Sequence, residues 1–287
     1  MNLRKPTPAD VPELVRILVD AVGGIARQHN FPLDFPDPAM GGRLLEFFIS
    51  HPKGVGFLAE ENGRILGSNF LDRRDAIAAV GPITVDPSAQ AKGVGRRLMQ
   101  AVMEAGKDHP GIRLVQDAFN TTSMSLYTSL GFDAREPLAL MRGKPKSPPR
   151  LTGGAEARPM REDDLPGCAD LCRRVHGIER TNELRDAITM FRPMVLTRGG
   201  RVVAYASAPT FWFLNHGVAE TREDLQTLLA AAGAANEEPL MLLLPSRQAD
   251  LFRWCLAEGL RMVKPMTLMS MREYHEPKGA WYSSVGY

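Results

Sequence analysis

The stretch GPITVDPSAQAKGVGRRLMQAVMEAG (81–106) orders the reading of this chain. An apolar run, Ile83-Thr84-Val85, stops at Asp86-Pro87, and a short polar turn follows. The run Gln90-Ala91-Lys92-Gly93-Val94-Gly95-Arg96-Arg97 then opens an amphipathic segment, with Val94, Leu98, Val102 and Ala105 at helical spacing. Strand, glycine turn and helix in that order belong to an α/β layered fold. Glycines in such a turn let backbone N–H groups converge, and the helix N-terminus adds the positive end of its dipole. Lys92, Arg96 and Arg97 bring further positive charge, so the turn suits a pyrophosphate. A P-loop would need GxxxxGK followed by Ser or Thr, and a dinucleotide fingerprint would need a third glycine where Leu98 stands. The plainer alternative is a helix start with surface arginines.

Working outward, GIRLVQDAFNTTSMSLYTSLGF (111–132) reads as a strand, then Asn120, then a helix carrying Tyr127, then Gly131-Phe132. Upstream, an extended opening (2–5) leads to a helix that begins at Thr7 or Pro8 and is expected to end before Gly23-Gly24. The Pro-rich loop HNFPLDFPDP (29–38) precedes a helix over 38–50. Strands are expected at 55–61, 64–72, 76–85, 112–118 and 135–142, and helices at 93–107 and 122–130. Strands mixed with helices in this way predict an α/β layered sheet.

Together the two stretches closely resemble the GNAT superfamily of N-acyltransferases, which pairs a Q/R-x-x-G-x-G-A/G-like pyrophosphate loop with a downstream N…Y…GF block. Here the loop is Gln90, Gly93 and Gly95, with Arg96 where a small residue is frequent. The downstream block is Asn120, Ser123, Tyr127, Gly131 and Phe132. The resemblance covers most of residues 1–143 and implies an α/β fold with a mixed, mostly antiparallel sheet flanked by helices, and an acyl donor, acetyl-CoA by family frequency, with no metal. It implies that the pantetheine arm pairs with Ile83, Thr84 and Val85, and that N–H groups from Ala91 to Arg96 hold the pyrophosphate. Gln90, Lys92, Gly93, Val94, Gly95 and Arg97 complete that turn. Asn120 and Ser123 would face the pantetheine region, and Tyr127 would sit near the thioester sulfur.

In this chemistry an amine attacks a thioester carbonyl and a thiolate leaves. The reactants must be held in attack geometry while a proton leaves the ammonium and negative charge is stabilised. A tyrosine hydroxyl, with a pKa of about 10, can donate to a thiolate whose conjugate acid lies near 8–9. Tyr127 is therefore the expected general acid, against the plainer role of a core aromatic. The strand before Ile83 offers no carboxylate. Asp72, Asp75, Asp117 and Glu60 are the nearby acids, and Asp117 is the nominated base, with a water chain or an already neutral amine as alternatives. The acceptor, a small-molecule or peptide amine, is expected at the loop carrying His29, Phe31 and Phe35.

Residues 142–157, RGKPKSPPRLTGGAEA, have the composition of a linker. The flanks resemble each other. LRKPTPADVPEL with Arg4 and Asp10 parallels ARPMREDDLPGC with Arg158 and Asp164, FLAEENGRILG (57–67) parallels VLTRGGRVVA (195–204), and LGFDAREPLALM (130–141) parallels EGLRMVKPMTLM (258–269). Three blocks in one order predict an internal duplication: a catalytic domain over 1–143, a linker over 144–156 and a second, GNAT-like domain over 157–287. In that second domain HGVAETREDL (216–225) stands where the pyrophosphate loop should be, without GxG and with Glu220, Glu223 and Asp224. Acids repel phosphate and read better as charges at a helix N-terminus. Cys255 aligns with Tyr127. The second copy is expected to have lost the cofactor and to serve as a cover for the sheet edge, a wall of the acceptor pocket or a homodimer contact. The aromatic ending GAWYSSVGY (279–287) is expected to be a last strand or a pocket-lining tail.

The 287 residues, 44% hydrophobic and 24% charged, have the composition of a soluble globular protein. A net charge of +2 is too small to argue for nucleic acid. No long apolar run suggests a signal peptide or a membrane span, so the cytoplasm is the expected location. Three cysteines, Cys168, Cys172 and Cys255, are expected as core thiols and not as a disulfide framework or metal site. Two function classes stay open: an acyltransferase, and a non-enzymatic acyl-CoA-binding regulator or sensor.

Overall fold

The computed structural model describes residues 1–286, so Tyr287, the last residue of the aromatic ending, lies outside the described residues. The chain forms two compact units. The first comprises Met1–Leu114 with Phe119–Gly131, and the second comprises Val115–Ala118 and everything from Phe132 onward.

In the first unit, β1 (Asn2–Arg4) passes through a 3-10 turn into α1 (Val11–Gln28), followed by α2 (Pro38–Ser50), β2 (Gly54–Glu61), β3 (Arg64–Asp72), β4 (Ile77–Val80), β5 (Thr84–Val85), α3 (Val94–Ala105), the first four residues of β6 (Gly111–Asp117), whose last three are counted with the second unit, and α4 (Thr121–Ser129). The strand order is β1-β2-β3-β4-β6. All neighbours run antiparallel except β4 and β6, which are parallel. The helices follow from their apolar stripes: α1 buries Leu14, Ile17 and Leu18, and α3 buries Val94, Leu98, Met99 and Val102.

Two expectations are corrected here. The helix expected to end before Gly23-Gly24 continues to Gln28. Glycine weakens a helix interior by only about 1 kcal/mol, and a side chain at Gly23 would crowd Arg27 and Leu33 at 3.2–3.4 Å. The single strand expected over 76–85 is two strands broken at Gly81-Pro82. Ile77–Val80 pairs with both β3 and β6, whereas Thr84–Val85 pairs with β3 alone among the described residues. The outer edge of β5 is therefore open in its own unit.

The second unit holds β7 (Asp133–Gly143), β8 (Ala155–Pro159), α5 (Leu165–His176), α6 (Thr181–Met190), β9 (Met194–Arg198), β10 (Arg201–Ala206), β11 (Gly217–Ala219), α7 (Arg222–Ala235), β12 (Leu240–Pro245), α8 (Ala249–Ala257), β13 (Arg261–Arg272) and β14 (Ala280–Tyr282). One run of neighbours is β14-β11-β10-β9-β8, and another is β13-β7-β12, all antiparallel. Leu228, Leu229, Leu242 and Tyr282 lie in one core cluster, and Leu171, Leu184, Leu243 and Trp281 in another.

The units divide at different places from the sequence blocks. Strand β7 closes the block 1–143 in sequence, yet it is bonded along both edges inside the second unit. Met141 faces Met262 of β13 on one side and Leu242 of β12 on the other. A strand belongs to whichever sheet satisfies its backbone groups, whatever its order in the chain. The same local arrangement recurs in the two halves. Arg4 donates to both carboxylate oxygens of Asp10 at 2.9 and 2.8 Å, and Arg158 does so to Asp164 at 2.7 Å each. In each case the carboxylate also accepts from the backbone N–H three residues earlier, of Thr7 and of Arg161.

Candidate functional site

The turn between β5 and α3 is fixed by Asp86. Its carboxylate accepts from the Ser88 N–H at 2.9 Å and hydroxyl at 2.6 Å, and pairs with Arg16 at 2.7 Å and Arg64 at 3.1 Å. The Ser88 hydroxyl and the Arg16 guanidinium hold this buried carboxyl well below the usual carboxylate range. Ile83 and Val85 pack against the cluster of Val94 and Leu98, and Thr84 is buried between them. The backbone of the open strand is thus held from the side of the helix that follows it.

Two residues of the turn adopt left-handed backbone: Ala91 at φ +62° and Gly93 at φ +78°. For Ala91 this conformation is strained by about 1–2 kcal/mol. Gly93 is the N-cap of α3, and the first intrahelical bond runs from Arg97 N–H to its carbonyl at 3.1 Å. The N–H groups of Val94, Gly95 and Arg96 precede that bond, so they lack an intrahelical acceptor. No acidic side chain stands in this first turn. Left-handed residues followed by a bare helix N-terminus make a concavity of N–H groups suited to an anion.

The basic side chains around the turn are partly engaged. Arg96 donates to the Ser129 hydroxyl of α4 at 2.7 Å, Arg97 to the Met1 carbonyl at 3.0 Å, and Gln90 to the Val85 carbonyl at 3.4 Å. Lys92 is exposed. Gly95 is the meeting point of three elements: a Cβ there would lie 3.4 Å from Leu126 of α4 and 3.7 Å from Val85 of β5. The structure thus brings Ile83–Val85, Gln90–Arg97 and the helix of Asn120, Ser123 and Tyr127 together within the first unit. Asn120 is the N-cap of α4, its side-chain oxygen accepting from Ser123 N–H at 3.1 Å. Tyr127 is buried on that helix, 6% exposed.

At the loop after α1, Phe31 stacks on Phe119 with ring centroids 4.3 Å apart, and His29 tilts against the same ring at 5.1 Å. Phe119 immediately precedes Asn120, so this loop touches the start of the Asn120 turn. Phe35 lies further along the same loop. It is 4% exposed and packs over Gly41 at the start of α2.

Asp117 belongs to the second unit, where its carboxylate lies 2.6 Å from the buried ammonium of Lys264. That ammonium also sits 5.2 Å over the Trp212 ring. The other nearby acids are engaged too: Asp72 with Arg74 at 2.6 Å and Glu60 with Arg4 at 2.9 Å. Asp86, Phe119 and Lys264 were missed from sequence. The Asp-Pro pair after an apolar strand is the signal for the first. Nothing local marks the other two, because their partners are distant in the chain. Among the described residues no group of three or more His, Cys, Asp or Glu is arranged to hold a metal ion. No helix among them is long and apolar enough to cross a membrane.

The corresponding turn of the second half differs. Strand β11 leads directly into α7, whose N-cap Thr221 accepts from Asp224 N–H and whose first turn carries Glu223 and Asp224. Asp224 pairs with Arg198 at 2.6 Å, and Glu220 with Arg174 at 2.9 Å. Cys255 on α8 is buried, and burial pushes its thiol up to about 12. Cys168, Cys172 and Cys255 are all free thiols.

Residues 25–132 match the model of the acetyltransferase (GNAT) family. The match spans 108 of the 287 residues and contains the β5–α3 turn and the α4 helix. Two curated relatives match parts of it. The UPF0157 protein YqkA of Bacillus subtilis is 28% identical over 106 residues, which is 37% of this chain and 30% of the relative. A mycothiol acetyltransferase of Thermomonospora curvata is 39% identical over 84 residues, 28% of each chain. The chain therefore spans less than a third of the length of these relatives. Among solved structures, a protein of Pyrococcus horikoshii assigned provisionally as an acetyltransferase superposes over 100% of this chain and 94% of its own, with a TM-score of 0.77 at 17% identity. A GCN5-related N-acetyltransferase of Sphaerobacter thermophilus covers 97% and 98%, with a TM-score of 0.62 at 16% identity. At such identities these likenesses speak for the fold, and they do so over the whole chain.

Proposed function

We propose that the chain is an acyl-CoA-dependent N-acyltransferase, moving an acetyl group from acetyl-CoA to a primary amine of a small molecule or peptide by direct attack. The observation that carries this reading is the β5–α3 turn. It offers left-handed Ala91 and Gly93, a helix N-terminus without acids, and an open strand edge at Thr84–Val85. The backbone from Ala91 to Arg96 would hold the pyrophosphate, with Gln90, Lys92 and Arg97 around it. Ile83, Thr84 and Val85 would pair with the pantetheine amides, and Asn120 and Ser123 would stand opposite. The amine nitrogen forms a bond to the thioester carbonyl carbon, the C–S bond breaks, and the Tyr127 hydroxyl gives its proton to the departing sulfur. The proton lost by the amine goes to a base. Asp117 is held to Lys264 through one carboxylate oxygen, which leaves the other to take the proton, and solvent water is the competing acceptor. His29 and Phe31 would border the acceptor, and the buried Phe35 would support that wall from behind. The working site belongs to the first half of the chain, the second half being a copy without a cofactor turn.

A thiol-release assay with acetyl-CoA and a panel of amines tests this directly. Release that depends on both acetyl-CoA and one class of amine is expected. One observation favours the second reading, a non-enzymatic acyl-CoA binder: Asp72, Asp117 and Glu60 are each tied to a cation. Tight acetyl-CoA binding with no release on any amine would favour it.

A further inference from the structure

In the first half, β5 pairs with β3 and leaves its other edge open. Its counterpart by register in the second half is β11: Val85 pairs with Gly67 and Ala219 with Ala204, each three residues after the arginine of the Gly-Arg turn, and along β11 the other edge is filled. Gly217, Val218 and Ala219 pair antiparallel with Tyr282, Trp281 and Ala280 of β14. On its far side the tail reaches β12, where Ser283 bridges Leu243 through a 2.9 Å bond from Ser283 N–H to the Leu243 carbonyl. The tail thus lies between β11 and β12, the counterparts of β5 and β6.

The side chains around the tail repeat the logic of a ligand site. Gln248 is the N-cap of α8, as Asn120 is of α4. Its amide donates to the Trp281 carbonyl at 2.6 Å and accepts from the Trp281 N–H at 3.4 Å. Tyr282 donates its hydroxyl to Asn215 at 3.1 Å, and Asn215 in turn donates to the Met241 carbonyl at 2.8 Å. Trp281 meets His176 edge-on at 5.1 Å, and both tail aromatics are buried. Gly217 is matched to this occupant: a Cβ there would come within 2.2 Å of the Tyr282 ring. A pantetheine arm also presents amide groups at strand-like spacing. A peptide strand is its natural substitute in a cleft that satisfies backbone donors and acceptors.

We propose that residues 280–283 are a built-in occupant of the second half's cleft, lying along the edge that the first half keeps open for acyl-CoA and held by Gln248 from the position that Asn120 holds there. The cofactor side of this assignment rests on the acyltransferase reading given above. The second half then takes no acyl-CoA for two separate reasons: its pyrophosphate turn is absent, and its cleft is full. Residues 280–283 thereby act as a structural ligand of their own half.

Hydrogen exchange of the full chain, read by mass spectrometry over 280–286, tests this. The tail should be as protected as β11 and β12 in the unaltered chain. Gly217→Ala should raise its exchange by about tenfold or more, as expected for a segment that opens locally. The same substitution should have no further effect in a Tyr282→Ala background, because the clashing ring is gone, and Gln248→Ala should also raise tail exchange. Exchange of the tail at the rate of an unstructured peptide while β11 and β12 stay protected would overturn the assignment, and that measurement needs no variant to fold. So would an equal effect of Gly217→Ala in both backgrounds, or a second equivalent of acetyl-CoA bound by the unaltered chain. No acetyl-CoA bound at all, with the exchange pattern as expected, would sink the acyltransferase reading alone.

Discussion

Single residues divide here into those shaped by the fold and those free to meet a ligand. Gly93 is held at φ +78°, so Gly93→Ala should lower stability by about 1 kcal/mol even without cofactor. Gly95 carries no such constraint, and an added Cβ would make ordinary contacts at 3.4 and 3.7 Å. Gly95→Ala is therefore expected to leave the thermal midpoint within a degree or two while weakening acetyl-CoA binding at least about tenfold if a phosphate approaches the backbone there. Calorimetric titration beside a melting curve separates the two effects. Tyr127→Phe should leave acetyl-CoA affinity in place and lower kcat by about 10²-fold, the usual scale of a lost general acid. An unchanged kcat on a true acceptor would remove Tyr127 from the chemistry. At Asp117, Lys264→Met would leave a carboxylate without its ammonium. Breaking such a pair costs about 3–5 kcal/mol when both partners are buried, and a shifted denaturant midpoint would report it.

Elements explain why the two helix N-termini are not equivalent. Helix α3 opens on Gly93 with no acid in its first turn, whereas α7 opens on Thr221 with Glu223 and Asp224. The first presents its dipole to solvent, and the second neutralises it with its own side chains. One acetyl-CoA per chain is the expected stoichiometry. The turn before α3 also carries a pH signature. Asp86, bonded by Ser88 and Arg16, and Asp10, bonded by Arg4, both have their carboxyl pKa values depressed on folding. The unfolded chain binds more protons at these sites, so their stabilisation is complete above about pH 4 and is lost as the pH falls below it. Glu136 works in the opposite sense, since burial pushes its carboxyl upward against the pull of Arg247. Unfolding followed by circular dichroism should show stability dropping steeply below about pH 4, and Asp86→Asn should flatten that drop while costing about 1–3 kcal/mol at neutral pH. A pH profile unchanged by the substitution would contradict the role given to Asp86.

For the whole molecule, what sequence revealed and what it hid divide by distance along the chain. The strand-turn-helix at 81–106, the Asn120–Tyr127 helix and the paired Arg-Asp turns at Arg4 and Arg158 were legible because each depends on neighbours within a few residues. Hydrophobic period and turn chemistry are local properties. The continuation of α1 through Gly23-Gly24 was not legible, because burial of the helix face that carries Ile17, Leu18, Gly23 and Ala26 outweighs the weak propensity penalty. Nor was the placement of β7 between β13 and β12, which depends on which backbone finds which partner across more than a hundred residues. The same holds for the Lys264 partner of Asp117, the Phe119 partner of Phe31 and the seat of Trp281 and Tyr282. The sequence by itself determined the α/β class, the resemblance in the first half and the absence of a glycine turn from residues 216–225. Only the tertiary structure decided which strands share a sheet, which acids are tied to cations and that residues 280–283 pair with β11 and β12, because burial and hydrogen-bond partners are set by contacts that no short stretch of chain encodes.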